Sequence, residues 1–163
     1  MLSGLLAQHS HAIDVNAGDY TALPSGTNVG VFYYQHGEMD GYYQNGDKAR
    51  AESKSDIGIA RFIHYTDIAG LRATPQVVIP FGSVRNTQIG DAHLNNASGF
   101  ADPIIASAFW LINQPEQGVS GRYLAVTPFI YLPLGQYDKN DAVNLGENSF
   151  KYDVQLAWVQ PLY

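Results

Sequence analysis

The sequence predicts an all-β fold, an antiparallel up-and-down meander of about six strands, and three observations carry that reading. Aromatic residues make up 12% of the 163 residues, with 11 Tyr and 16 Gly. Residues enriched in strands therefore accompany the residue that serves turns and bulges. Six segments rich in Val, Ile, Phe, Tyr or Trp are bounded by clusters of Gly, Asn, Asp and Ser, the punctuation of strands. No convincing helix of ten or more residues interrupts them, so no element is on hand to carry a parallel crossover.

The six segments, in order, are Asn28–His36, Ile57–Thr66, Leu71–Phe81, Phe100–Asn113, Arg122–Leu134 and Phe150–Gln160. The first is followed by the long polar stretch "GEMDGYYQNGDKARAESKSD" and the second only by "DIAG". Then come "GSVRNTQIGDAHLNNASG", the shorter "QPEQGVSG", and "GQYDKNDAVNLGENS". Long and short links alternate, which puts the long ones at one end and the short ones at the other. A soluble meander has no physical reason for that layout. A barrel in an outer membrane does, with long outside loops and short periplasmic turns. Six strands cannot readily close, since the smallest bacterial membrane barrels use eight and strand number is even. The expectation is therefore an open sheet with exposed edges at strands one and six. It forms the N-terminal part, residues 13–163, of a larger outer-membrane β-barrel, or needs a second copy to close.

Face by face, the last strand alternates most cleanly. Phe150, Tyr152, Val154, Leu156 and Trp158 lie opposite Lys151, Asp153, Gln155 and Ala157. In a membrane barrel the first set faces lipid and the second the lumen. On the fifth strand Leu124, Val126, Ile130, Leu132 and Leu134 oppose Tyr123, Ala125, Thr127, Phe129 and Tyr131. On the third, Leu71, Ala73, Val77, Ile79 and Phe81 oppose Arg72, Thr74 and Gln76. The second strand resists, because Arg61 shares parity with Ile57, Ile59, Ile63 and Tyr65. A charge on the lipid face costs roughly 2–4 kcal/mol at the midplane, so a bulge or a depth near the interface is needed there. The fourth strand is apolar on both faces and gives no orientation. The predicted substrate-passage residues are accordingly Arg72, Thr74, Gln76, Tyr123, Thr127, Tyr131, Lys151, Asp153 and Gln155. They form an aromatic and amphipathic wall suited to small apolar or aromatic solutes, set against the plainer reading that any barrel interior needs polar filler.

One motif is written twice, "TPQVVIPFG" from Thr74 and "TPFIYLPLG" from Thr127. Thr74, Pro75, Pro80 and Gly82 match Thr127, Pro128, Pro133 and Gly135. Both copies lie in a strand that precedes a long loop, so one strand type is used twice, with strands two to four echoed by four to six. Proline cannot donate to a ladder, and bulges are expected at Pro75, Pro80, Pro128 and Pro133.

Chemistry is bounded mainly by what is missing. A net charge of -6 argues against a nucleic-acid surface, which needs clustered Lys and Arg. There is no Cys, so thiolate catalysis and Cys-based zinc sites are excluded. His36, His64 and His93 have no spacing suited to a shared metal, and no Ser sits in a nucleophile elbow. Asp14, Asn16 and Asp19 in "DVNAGDY" look like the start of a calcium loop, but its Gly and terminal Glu positions fail. No catalytic residue, metal site or cofactor is expected, and the chain is not read as an enzyme. At the N-terminus, "LSGLLA" followed by Ser10-His11-Ala12 looks like the end of a secretory signal over residues 1–12, with no positive n-region.

"AIDVNAGDYTALPSGTN", "YYQNGDK", "SDIGIARFIHY", "PQVVIPFG" and "TPFIYLPLGQYDKNDAVNLGEN" together resemble the family of MetA-pathway phenol degradation proteins. The resemblance runs from Ala12 to about Gln160. It implies an outer-membrane β-barrel of Proteobacteria, often called a transporter and encoded near pathways for aromatic compounds. Family members are longer and continue with further strands, which implies that this chain is a fragment. The family brings no established catalytic residues to carry over. The leading expectation is a channel or transporter for small hydrophobic or aromatic compounds in the bacterial cell outer membrane, with outer-membrane lipid as its surroundings. A soluble β-barrel or sandwich that binds a small molecule is the alternative. An outer-membrane esterase or lipase lacks any visible nucleophile arrangement.

Overall fold

The computed structural model describes residues 20–44, 47–116 and 121–160. The signal-like residues 1–12, the calcium-loop look-alike at Asp14–Asp19 and Pro161 lie outside them. Strands run in chain order as β1 (Asn28–Met39), β2 (Tyr42–Gln44), β3 (Asp47–Ala49), β4 (Ala51–His64), β5 (Thr66–Ile68) and β6 (Leu71–Ile89). They continue as β7 (Ala92–His93), β8 (Ala97–Phe100), β9 (Ile104–Gln114), β10 (Arg122–Tyr131) and β11 (Lys151–Val159). The main sheet follows the path β1-β4-β6-β9-β10-β11, with β5, β7 and β8 added beside β6 and a separate β2-β3 hairpin. Every pair is antiparallel. Among the described residues β1 and β11 are not paired with each other, so the sheet is open. The all-β antiparallel meander is as the sequence predicts.

The short link "DIAG" closes as a two-residue hairpin between β5 and β6, with Ala69 at φ 51° and Gly70 at φ 80°. Two successive left-handed residues match the right-handed twist of the flanking strands. The long links correct the sequence reading. β1 continues to Met39 and β4 begins at Ala51, so most of the polar stretch taken as loop is paired ladder. β6 likewise runs on to Ile89, and β7 turns back onto it. The predicted fourth strand is split, with β8 ending at Phe100 and β9 starting at Ile104.

The strand prolines carry no bulges of their own. Instead each sits where the ladder on one side is interrupted. Pro75 pairs with Ser107 of β9, while on its other side the ladder breaks between Thr66–Ala73 and Ile63–Gln76. Pro80 pairs with Ile59 of β4, opposite the gap between β8 and β9. Pro128 pairs with Val154 of β11, and its other side falls between the Val126–Phe109 and Phe129–Ala106 pairs. A missing N–H is harmless where no partner waits for it. Pro133 lies beyond the end of β10. The irregularities that do exist are elsewhere, between Glu52 and Lys54 and between Leu124 and Ala125, where Leu111 is the extra residue. The motif's glycines answer a different need. A Cβ on Gly82 would stand 2.1 Å from the Asp56 carbonyl oxygen, and one on Gly135 would stand 2.6 Å from the Ala101–Asp102 backbone. Both positions are close backbone approaches at a strand exit.

The two faces of the sheet differ sharply. One is covered by the segment leading into β1, whose Tyr20, Ala22 and Leu23 pack on Ile63, Tyr65, Ala108, Trp110, Tyr123 and Ala125. The other is bare and apolar. It presents Phe32, Phe62, Ile79, Ile105, Ile130, Val154 and Trp158, with Tyr152 74% and Leu156 70% exposed. Cross-strand register makes this a continuous belt, for example Phe62–Val77–Ile105–Ile130–Tyr152. Along β6 its apolar residues run from Ala73 to Phe81, before Ser83 and Arg85, close to the ~9–11 residues that a tilted strand needs to cross a bilayer. At one margin Phe32, Phe81 and Phe100 touch ring to ring, with centroids 6.1 and 6.0 Å apart. Just past them charges begin, with Asp56 and Arg85 paired, and Lys54 Nζ 2.8 Å from Glu38 Oε1.

Strand two is thereby resolved. Ile59, Arg61, Ile63 and Tyr65 lie on the covered face, while Gly58, Ala60 and Phe62 form the bare one. Arg61 needs no bulge. Its Nε donates to Gln76 Oε1 at 2.7 Å, on the same side as the interior of the fold.

Candidate functional site

The covered face is organised in rows that run across the strands. One row is Val29, Ile63, Gln76, Ala106, Phe129 and Asp153, and the next is Val31, Arg61, Val78, Ile104, Tyr131 and Lys151. On the other side of the first row stand the Thr74–Ala108 and Thr127–Gln155 pairs. The alternation of β6, β10 and β11 puts all nine predicted residues on this face. Thr127 is 1% exposed, and Thr74 and Tyr123 are also buried. Small residues at Ala106, Ala108 and Ala125 leave room above the middle of the wall, and that room is filled.

What fills it is Tyr20. Its ring lies 6.4 Å from that of Trp110 at 58°, and Tyr65 stacks on Trp110 from 6.1 Å. Its hydroxyl donates to Gln155 Oε1 at 2.9 Å and meets Thr127 Oγ1 at 3.2 Å. With the phenolic proton used on Gln155, the Thr127 hydroxyl is the donor in the second bond. Trp110 Nε1 donates to the Tyr20 carbonyl at 3.0 Å. Farther along, Arg72 donates through Nη1 to the Leu23 carbonyl and through Nε to Asp67 Oδ1 at 2.8 Å. The guanidinium of Arg72, helped by Ser25, holds the Asp67 carboxyl below its ordinary pKa. The chain then joins the ladder, where Gly26 N donates to Tyr65 O and Tyr65 N donates to Thr27 O. Residues 20–27 thus form a strap across the short-turn end of the covered face.

The structure gathers Thr127, Gln155, Tyr123 and Arg72 around this strap, and Gln76 beside Arg61. Tyr131 and Lys151 are register neighbours in the outermost of these rows, and Lys151 forms an ion pair with Glu147. Asp153 accepts from the Val154 backbone N–H and is exposed. Sequence reasoning did not find Tyr20, Tyr65, Trp110 or Arg61. Trp110 lies in the strand whose two faces were both apolar. Tyr20 lies in a segment with no strand signal. The parity of Arg61 was visible and was assigned to the wrong face. Among the described residues no group of His, Asp and Glu is placed to hold a metal ion.

Comparison with known proteins adds two findings. The chain is similar to the crystal structure of an outer membrane channel from Pseudomonas putida F1, with a TM-score of 0.78 and 35% identity. The match covers 91% of this chain and 55% of that one, so the chain spans about half the length of that channel. No curated protein matches it. The family described as "Putative MetA-pathway of phenol degradation" matches over residues 15–162, nearly the whole sequence, and the chain belongs to that family.

Proposed function

We propose that this protein works in the bacterial outer membrane as part of a β-barrel channel that admits small hydrophobic or aromatic compounds, including phenols, to a degradative pathway. One observation carries the reading. The same strands present an exposed, charge-free apolar belt on one face and Arg61, Gln76, Tyr131, Lys151 and Asp153 on the other. A water-soluble barrel or sandwich buries the apolar face and exposes the polar one. A membrane barrel does the reverse. The similarity to an outer membrane channel supports this assignment, as does membership of a family named for phenol degradation. On this reading the bare face meets lipid, the ring of Phe32, Phe81 and Phe100 marks an interface, and the covered face lines the lumen. The role of that face, on this reading, is passage.

The test uses the full-length protein in its host. It should fractionate with the outer membrane and show heat-modifiable mobility in detergent gels. A deletion strain should grow more slowly on limiting phenol or toluene, and uptake of labelled compound should fall. A protein recovered in the soluble fraction without detergent would return the soluble binding module to first place. Unchanged uptake of every such compound would remove the transport claim.

A further inference from the structure

The group that occupies the middle of the covered face is itself a phenol. We propose that the pocket around Tyr20 is a binding site for a phenolic solute, and that the Tyr20 side chain is its resident, tethered occupant. The proposal deepens the channel reading and rests on it for the solute's access.

The chemistry of the pocket matches one ligand class closely. An aromatic ring is received by Trp110, against which Tyr65 also packs, among the small side chains of Ala108 and Ala125. The ring's hydroxyl meets one acceptor, Gln155 Oε1, and one donor, the Thr127 hydroxyl. A phenolic O–H needs both, since it gives one proton and accepts another. Nothing charged touches the ring or its oxygen among these contacts, so the neutral phenol is favoured over phenolate. Thr127 and Trp110 lie in paired strands at the middle of the sheet, so their backbone places are set by the ladder rather than by the strap.

Among the described residues the strap is held by the Tyr20 ring and hydroxyl, the Trp110 bond to its carbonyl, the Arg72 bond to Leu23, the Ser25 bond to Asp67, the packing of Ala22 and Leu23, and the ladder at Gly26 and Thr27. Withdrawing Tyr20 leaves an aromatic-walled cavity with an unpaired Thr127 hydroxyl and Gln155 carbonyl. Unpaired buried polar groups are costly, and a solute phenol repairs both. Toluene fills the same space and repairs neither. Tyr20 therefore acts as an internal competitor, so that a phenol must displace it to enter and is displaced by it on leaving.

The experiment measures the thermal midpoint of the heat-modifiable transition of the full-length protein in detergent, with phenol or toluene as the added probe. Tyr20→Ala opens the cavity. Tyr20→Phe keeps the ring and loses only the hydroxyl, and guards against a variant that fails to fold. Phenol should raise the midpoint of Tyr20→Ala toward that of the wild type and leave Tyr20→Phe unmoved. The concentration of toluene needed for the same shift should be about thirtyfold higher, the worth of roughly two hydrogen bonds. Thr127→Val with Gln155→Leu in the Tyr20→Ala background should abolish that preference. Equal shifts by phenol in all variants, or no preference of phenol over toluene in Tyr20→Ala, would overturn the proposal. These readings require no transport, so they can fail while uptake stands, and uptake can fail while they stand.

Discussion

Asp56 shows how single side chains mark the boundary between the two environments of this sheet. Its carboxylate accepts from Tyr34 Oη at 2.7 Å, faces His36 Nδ1 at 2.7 Å and pairs with Arg85. All of these lie on the bare face just beyond the phenylalanine ring, with Glu38 and Lys54 alongside. His36 is drawn above its ordinary pKa mainly by the hydrogen bond to Asp56, with Glu38 adding to it. Asp56 is drawn far below its own, first by His36 and then by Tyr34 and Arg85. The signs fix the pH window. The His36 contribution is complete below about pH 6.5 and is lost as pH rises through its raised folded value, whereas that of Asp56 is present above about pH 3.9 and lost as pH falls through its lowered one. The thermal midpoint gap between wild type and His36→Gln should therefore be larger at pH 5.5 than at pH 8.5. An equal gap at both would show that the imidazole stays neutral throughout.

At the scale of the strand, the repeated Thr-Pro motif makes sense only with the ladder in view. Thr74 and Thr127 are buried polar residues on the covered face, and the following prolines point the other way, each facing a break in pairing on one side. Pro128→Ala should then change the unfolding midpoint in urea little, by an amount equivalent to about 1 kcal/mol or less. Val126→Pro, at a residue paired with both Phe109 and Leu156, should prevent folding. If both are tolerated alike, the pairing gaps do not explain the prolines. Much of this level was legible beforehand. β6, β10 and β11 alternate in sequence as they do in space, because one face is wholly apolar. β4 and β9 do not alternate, since Ile59, Ile63 and Tyr65 or Ile104 and Trp110 pack against the strap and one another on the covered face. An interior lined partly with aromatics erases the period-2 contrast. The polar ends of β1, β4 and β6 were hidden for the opposite reason: beyond the apolar belt both faces meet water, and paired charges replace alternation.

For the whole molecule the open edges decide what must happen next. β1 and β11 each present a row of backbone N–H and C=O groups without a strand partner among the described residues. In lipid each unsatisfied group costs several kcal/mol, so a single open sheet of this kind is not a stable membrane species. The belt on its bare face makes water equally unfavourable. Closure needs further strands, whether from the same protein or from a second copy. The path holds six strands, and two copies joined β11 to β1 at both seams would make twelve, an even number within the known range. The 163-residue chain refolded alone in detergent should therefore associate. Cysteines placed at Phe32 and Val154, on opposite edges and both on the bare face, should crosslink between copies and not within one. In the full-length protein the same cysteines should give no intermolecular crosslink, because further strands of its own would cover both edges. Monomeric 163-residue chain with rapidly exchanging β1 and β11 amides would show that the edges tolerate detergent unpaired. An intramolecular crosslink would show that β1 meets β11 directly and that six strands close by themselves.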